Sequence, residues 1–124
     1  MQRNCRVVTY ISVVINAAFG RSLEFLRSLL ERGRLTSTDF LHRAAHISAV
    51  WSPANIAFLR QRFEQLKDIP AFAEMRWTED RQDLAEWMPL VMEGRDPTQA
   101  VAATRIERGT DVDFGALTRA YLLP

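Results

Sequence analysis

The stretch HISAVWSPANIAFLRQRFEQLK, residues 46–67, changes its hydrophobic period partway along and thereby determines the fold class. In its first six residues, Ile47, Ala49 and Trp51 alternate with His46, Ser48 and Val50, which favours a β-strand. Ser52 and Pro53 then predict the start of a helix, because serine can cap free N–H groups and proline is tolerated at the first helical position. One face of that helix is apolar at helical spacing: Ile56, Leu59, Phe63 and Leu66. A strand that passes directly into an amphipathic helix predicts a domain built from both helices and a sheet.

Two different patterns precede this stretch. Residues 16–32 have a helical period, and Gly33 stands where a left-handed residue ends a helix. Residues 7–15 are rich in β-branched side chains, three of them consecutive at 13–15, which predicts an extended segment that joins a sheet. The same region loosely resembles a signal peptide, but polar residues interrupt its apolar run, so export is not predicted.

Further elements are predicted on the C-terminal side. Residues 101–105 predict a second strand. A brief helix is predicted to begin after Thr78 or Asp80 and to end at Pro89, and Asp113 is predicted to cap the last helix. The predicted fold class is α+β, with helices packed on a small mixed sheet and more helix than sheet.

Composition excludes several classes of function. The 124 residues carry 16 basic and 15 acidic side chains, a net charge of +1 that predicts no nucleic-acid partner. Cys5 is the single cysteine, so neither an intrachain disulfide nor a cysteine-based metal site is expected. No uninterrupted apolar run approaches the roughly 18 residues of a membrane-spanning helix.

The common catalytic and cofactor motifs are absent. The glycine positions allow neither a dinucleotide-binding fingerprint nor a phosphate-binding loop: Gly20, Gly33, Gly94, Gly109 and Gly115. His42 and His46 have the spacing of a zinc-binding helix, but Arg43 occupies the position of the required glutamate and the segment favours a strand. No metal site is therefore predicted, and the residues alone indicate no self-sufficient active site.

Several strings of residues resemble the malate:quinone oxidoreductases, in the order in which that family has them. They are HIS (46–48), VW (50–51), NIAFLR (55–60), LVMEGRDP (90–97), VAATR (101–105) and GTDVDFGALTR (109–119). The resemblance runs from about residue 15 to residue 118. Residues 1–14 form an apolar N-terminal segment outside it.

The resemblance implies an FAD-dependent, membrane-associated bacterial enzyme of the tricarboxylic acid cycle, which oxidises (S)-malate to oxaloacetate and reduces quinone. It further implies a two-domain flavoprotein, of which residues 15–124 would be a slice of the substrate domain without the FAD-binding fingerprint. We therefore expect this chain alone to bind no FAD and to be inactive. The implied location is the cytoplasm or the inner face of the cytoplasmic membrane.

Three residues within the matching strings are candidates for contact with malate. A dicarboxylate favours an arginine that offers two parallel hydrogen bonds, and Arg105 has this role in the prediction. His46 is the predicted catalytic residue, because imidazole titrates near neutrality and could polarise or deprotonate the hydroxyl. Ser48 is predicted to bind substrate beside it. The structural alternative is that Arg105 pairs with an acid and His46 donates to a backbone carbonyl.

A second function of a different class stays open at this point. The chain could be a small, non-catalytic interaction module that reuses the surface of a substrate domain. Its apolar N-terminal segment and short last helix would then be covered by a second copy, or by flavoprotein domains supplied in trans.

Overall fold

Five α-helices and two antiparallel sheets form residues 2–123, the part of the chain that this computed structural model describes, with side chains described from residue 6 onward. In chain order the elements are α1 (Gln2–Glu31), β1 (Leu41–Arg43), β2 (His46–Trp51), α2 (Pro53–Leu66), a 3-10 turn (Pro70–Phe72), β3 (Arg76–Thr78), α3 (Arg81–Trp87), α4 (Pro89–Met92), β4 (Val101–Ile106), β5 (Thr110–Val112) and α5 (Phe114–Leu122). The predicted α+β class is confirmed.

The larger sheet has the strand order β2-β4-β3, and the smaller one pairs β1 with β5. Every pairing among the described strands is antiparallel, whereas a mixed sheet was expected. The central strand β4 is covered on both faces, so its residues 101–104 are all buried. Burial on both faces explains why this strand consists mostly of small and apolar residues and lacks an alternating pattern.

The two faces of the larger sheet pack against different helices. On one face, Leu66 of α2 and Val13 of α1 pack around Ile106. On the other face, Leu84 of α3 and Met88 pack against Val101 and its neighbours on β2 and β4. The sheet is thus sandwiched between a layer made by α1 and α2 and a layer made by α3 and α4.

The N-terminal segment is helical, so the strand predicted for residues 7–15 is wrong. The helix predicted for residues 16–32 is present, but it continues back to Gln2 as a single 30-residue element. β-Branched residues have only slightly lower helix propensity, and each residue added to an existing helix gains a hydrogen bond without a new nucleation cost. Gly33 ends the helix as predicted, with φ +67° and hydrogen bonds from its own N–H to Leu30 O and from Arg34 N–H to Leu29 O.

The helix starts follow the predicted signals with one exception. Pro53 is the first residue of α2 as predicted, but Ser52 makes no capping hydrogen bond because its backbone is left-handed, with φ 84°. Asp80 caps α3, and Asp113 caps α5 by accepting the Ala116 N–H at 2.8 Å. That backbone hydrogen bond lowers the pKa of the Asp113 carboxyl below its ordinary value.

Replacement of the α3 cap gives a first testable prediction. The Asp80 carboxylate accepts the backbone N–H groups of Gln82 (2.8 Å) and Asp83 (3.2 Å). We expect Asp80→Ala to lower the free energy of unfolding by about 1 kcal/mol, while Asp80→Asn keeps most of it because asparagine also caps. Urea denaturation of the three proteins measures the difference, and equal midpoints for Asp80→Ala and the parent would contradict it.

A β-bulge joins the two sheets. Arg43 pairs with Thr110, and His46 pairs with Ile106. Between these two pairs, residues 44–45 of one segment face the three residues 107–109 of the other. The Ala44 N–H donates to Gly109 O at 3.1 Å, which holds the bulge against the neighbouring segment. Bulges redirect side chains at sheet edges and next to functional sites. Here the bulge carries Arg108 to the side of the sheet that α1 covers.

Candidate functional site

The predicted pair His46 and Ser48 lies together on one face of β2. The two residues are separated by one position, so both point toward the layer made by α1 and α2. Ser48 Oγ lies 3.4 Å from His46 Nε2. His46 is exposed, Ser48 is half-buried, and the buried Thr104 stands directly opposite Ser48 on β4. The strand geometry thus presents a hydroxyl and an imidazole to the same space.

That space is a cavity of about 330 Å³ between α1 and the larger sheet. Its volume is within the range of small-molecule sites. Side chains from α1, α2, the strands β2 and β4 and the bulge line it. The polar ones are Ser12, Asn16, His46, Ser48, Arg62, Thr104, Arg108 and Thr110. The cavity therefore offers donors from several elements to one bound molecule.

A second cavity of about 420 Å³ adjoins the first. Both are lined by Asn16, Phe19 and residues 108–110, so they share one wall. Arg27 and Arg43 line the second cavity in addition to Arg108. No aspartate or glutamate lines either cavity in the described part of the chain. Four arginines line this region, Arg62 and Arg108 in the first cavity and Arg27, Arg43 and Arg108 in the second, and cationic side chains of this kind favour an anion.

The structure does not bring Arg105 together with His46. Arg105 pairs with Ile47 across the two strands, so it lies on the face of the sheet opposite to His46 and Ser48. There its Nε lies 2.7 Å from Glu107 Oε1, and its guanidinium carbon lies 5.8 Å from the centre of the Trp87 ring. Arg76, directly opposite Arg105 on β3, also pairs with Glu107. Arg105 therefore contacts an acid, as the structural alternative expects.

Sequence reasoning missed the arginines that do share a cavity with His46. Arg62 lies on α2 and donates to Ser12 Oγ at 3.2 Å, which links α2 to α1 across the site. Arg108 lies in the bulge. Neither arginine could be predicted from the sequence. Arg62 reaches the cavity only because α1 packs against α2, and a one-residue bulge such as the one that carries Arg108 has no sequence motif.

Two further searches concern other kinds of site. Between residues 2 and 123, no helix has the length and apolar character that crossing a bilayer requires. In the same described residues, no group of three or more His, Cys, Asp or Glu side chains is arranged to hold a metal ion.

Comparison with known proteins identifies the family. A family model described as Malate:quinone oxidoreductase matches residues 1–123. The chain belongs to the malate:quinone oxidoreductase family. The match includes residues 1–14, which the strings quoted above had left outside the resemblance.

Curated relatives agree with this family assignment. The chain is 91% identical over all 124 residues to the "probable malate:quinone oxidoreductase" of Synechococcus sp. (strain CC9902). It is 70% identical over 124 residues to the protein of that name in Parasynechococcus marenigrum (strain WH8102), and 57% identical over 122 residues to that in Prochlorococcus marinus (strain MIT 9303). The chain spans 25% of the length of each of these relatives.

Proposed function

We propose that this chain forms part of the substrate domain of a malate:quinone oxidoreductase, and that the cavity beside His46 holds the dicarboxylate. The observation that carries the proposal is the composition of the two adjoining cavities, which combine an imidazole and hydroxyls with four arginines and no carboxylate. Malate is a dianion with one hydroxyl, so it requires cationic donors at its ends and a proton acceptor near its centre. The cavity lining supplies both kinds of group.

In this proposal the residues have separate roles. Arg108 and Arg62 bind the carboxylates, because both line the cavity that contains His46. The neutral imidazole of His46 accepts the proton of the malate hydroxyl as the substrate is oxidised. Ser48 lies within 3.4 Å of that imidazole and orients it or the substrate hydroxyl. A substrate-binding role for Arg105 stays a sequence prediction, and its partner Glu107 makes Arg108 the stronger candidate.

The remaining parts of the reaction are proposed to lie outside these 124 residues. FAD, where the family polypeptide binds it, would supply the hydride acceptor for malate oxidation, and quinone would be the final electron acceptor. A dinucleotide cradle needs a glycine-rich turn from a strand into a helix. The strand-to-helix turns in the described residues pass through Ser52, Glu79 with Asp80, and Asp113, and none of these turns is glycine-rich, which supports a cradle supplied by another part of the family polypeptide. We place the enzyme in the cytoplasm or at the inner face of the cytoplasmic membrane.

A direct consequence is that the isolated chain does not turn over malate. We expect purified chain with FAD, (S)-malate and a quinone analogue to reduce the analogue at the rate of a protein-free mixture. The same assay on the full-length Synechococcus relative serves as the positive control. Malate-dependent reduction by the isolated chain would show that it holds a flavin without the rest of the family polypeptide.

The carboxylate-binding role is tested by Arg108→Gln in a full-length protein. Residues 1–124 of this sequence replace the matching segment of the 91% identical relative, and this protein is called the grafted relative below. A hydrogen bond to a charged group contributes about 1.5–3 kcal/mol, so we expect KM for malate to rise about tenfold or more. Arg60→Gln is the matched control, because Arg60 lies over Trp77 outside both cavities. An unchanged KM in the Arg108 variant would remove it from the site.

A further inference from the structure

The N-terminal half of α1 packs with its polar side inward. Thr9 Oγ1 donates to Gln65 Oε1 at 2.7 Å, and Ser12 accepts from Arg62 on the same side of the helix. Val13 is the member of this half that joins the apolar cluster between α2 and the sheet. In a helix that only covers its own domain, the apolar stripe faces the core and the polar stripe faces water. This half of α1 departs from that arrangement, because the polar Thr9 and Ser12 face α2 while several apolar side chains face outward.

The outward side of the helix carries the missing apolar stripe. Its members recur at helical spacing and are exposed: Val7, Tyr10, Ile11, Val14, Ala18 and Phe25. Tyr10 is 70% exposed, Phe25 59% and Val7 57%. Residues 7–20 contain no charged side chain. We define these six residues as the outer stripe of α1.

We propose that the outer stripe of α1 is the docking face for the part of the family polypeptide that lies outside these 124 residues. The relatives are about four times as long as this chain, so three quarters of their length is available to cover it. An exposed apolar stripe on a long helix marks an interaction surface on a folded protein. The polar inner side is already occupied by α2, which leaves the outer stripe for a second layer.

Two other occupants fit the observations less well. A two-fold dimer buries the same single patch on each copy. This chain has a second exposed apolar surface at Leu90 on α4, which is 85% exposed and lies on the opposite side of the sheet from α1. One such interface would leave one of these two surfaces in water. An anionic membrane surface would be favoured by many lysines and arginines along the stripe, whereas Arg6 and Arg21 are the basic residues between positions 6 and 25.

Thiol labelling of Val14→Cys tests the proposal without reference to malate turnover. In the isolated chain the new thiol is expected to react at the rate of a model thiol, because Val14 is exposed. In the folded grafted relative we expect the thiol at position 14 to react at least tenfold more slowly. Digestion after labelling and mass spectrometry of the peptides separate this thiol from other cysteines. Glu74→Cys on the exposed segment before β3 is the control that reports labelling conditions in both proteins. Equal rates at position 14 in the two proteins overturn the proposal.

A second variant separates the remaining occupants. Val14→Glu should lower the melting temperature of the grafted relative and leave that of the isolated chain unchanged, because the charge is buried only where the stripe is covered. Light scattering and flotation with anionic vesicles are run on the isolated chain and on its Val14→Glu variant. The isolated chain could form a dimer or bind vesicles in a way that Val14→Glu abolishes. If position 14 also stays reactive in the grafted relative, the stripe belongs to that occupant and the proposal is overturned.

Discussion

Gly109→Ala is expected to disrupt the junction between the two sheets and to be the most destabilising of the substitutions considered. A Cβ atom at position 109 would collide with Ala44 O, which is backbone and cannot rotate away. The bulge and the facing segment would have to separate, breaking the hydrogen bond from Ala44 N–H to Gly109 O. We expect a loss of about 3 kcal/mol or more in the free energy of unfolding, beyond the usual cost of an overpacked site.

The control for this prediction is the same substitution at a glycine with free space. Gly20 lies inside α1, and an added Cβ would meet no atom within 4 Å. Alanine is the better helix former, so Gly20→Ala should raise stability by up to about 1 kcal/mol. Denaturant unfolding of both variants in the isolated chain measures the two effects. A mild effect of Gly109→Ala, comparable in size to that of Gly20→Ala, would mean that residues 44 and 109 are not in close contact.

His46→Gln in the grafted relative is expected to lower kcat/KM for malate by about 10²–10⁴, the usual contribution of a general base. Glutamine can hydrogen-bond to the substrate hydroxyl but cannot accept its proton at neutral pH. The prediction rests on the position of His46 in the cavity together with Ser48 and the arginines. The effect should fall mainly on kcat, because glutamine preserves much of the polar contact.

The control for His46 is the second histidine of the chain. His42→Gln changes a residue on β1 that pairs with Asp111 and does not line the cavity that contains His46. Its kcat/KM should stay within about twofold of the parent, because it touches no reacting group. Equal losses in the two variants would indicate a structural effect on this part of the sheet, and no loss in His46→Gln would contradict its catalytic role.

Much of the fold could be predicted because its longer elements have clear periodicity. The strand β2 and the helix α2 show the residue spacing of their element types, β4 is a short run of mostly small and apolar residues, and Asp80 and Asp113 cap as their types favour. Strands β1, β3 and β5 have three residues each, too few to establish a period. The first half of α1 was misinterpreted because its consecutive β-branched residues favour a strand locally, whereas its continuity with the rest of α1 makes it helical.

The candidate site was predicted in part for a geometric reason. His46 and Ser48 are two positions apart on one strand, and their common face follows from strand geometry alone. Whether Arg105 shares that face depends on the register between β2 and β4, because a shift of one residue exchanges the two faces. The strands β2 and β4 are separated by some fifty residues, and a single sequence does not determine the register between strands so far apart. The contribution of Arg108 depends in turn on the bulge.

Malate protection of a single cysteine in the cavity tests the central claim most directly. Thr110→Cys in the grafted relative places a thiol in the wall that the two cavities share, and Gln82→Cys on α3 places one on the far side of the sheet. We predict that saturating (S)-malate slows labelling at position 110 severalfold and leaves position 82 unchanged. Equal labelling at position 110 with and without malate, in a protein that still oxidises malate, would place the substrate elsewhere and contradict the account.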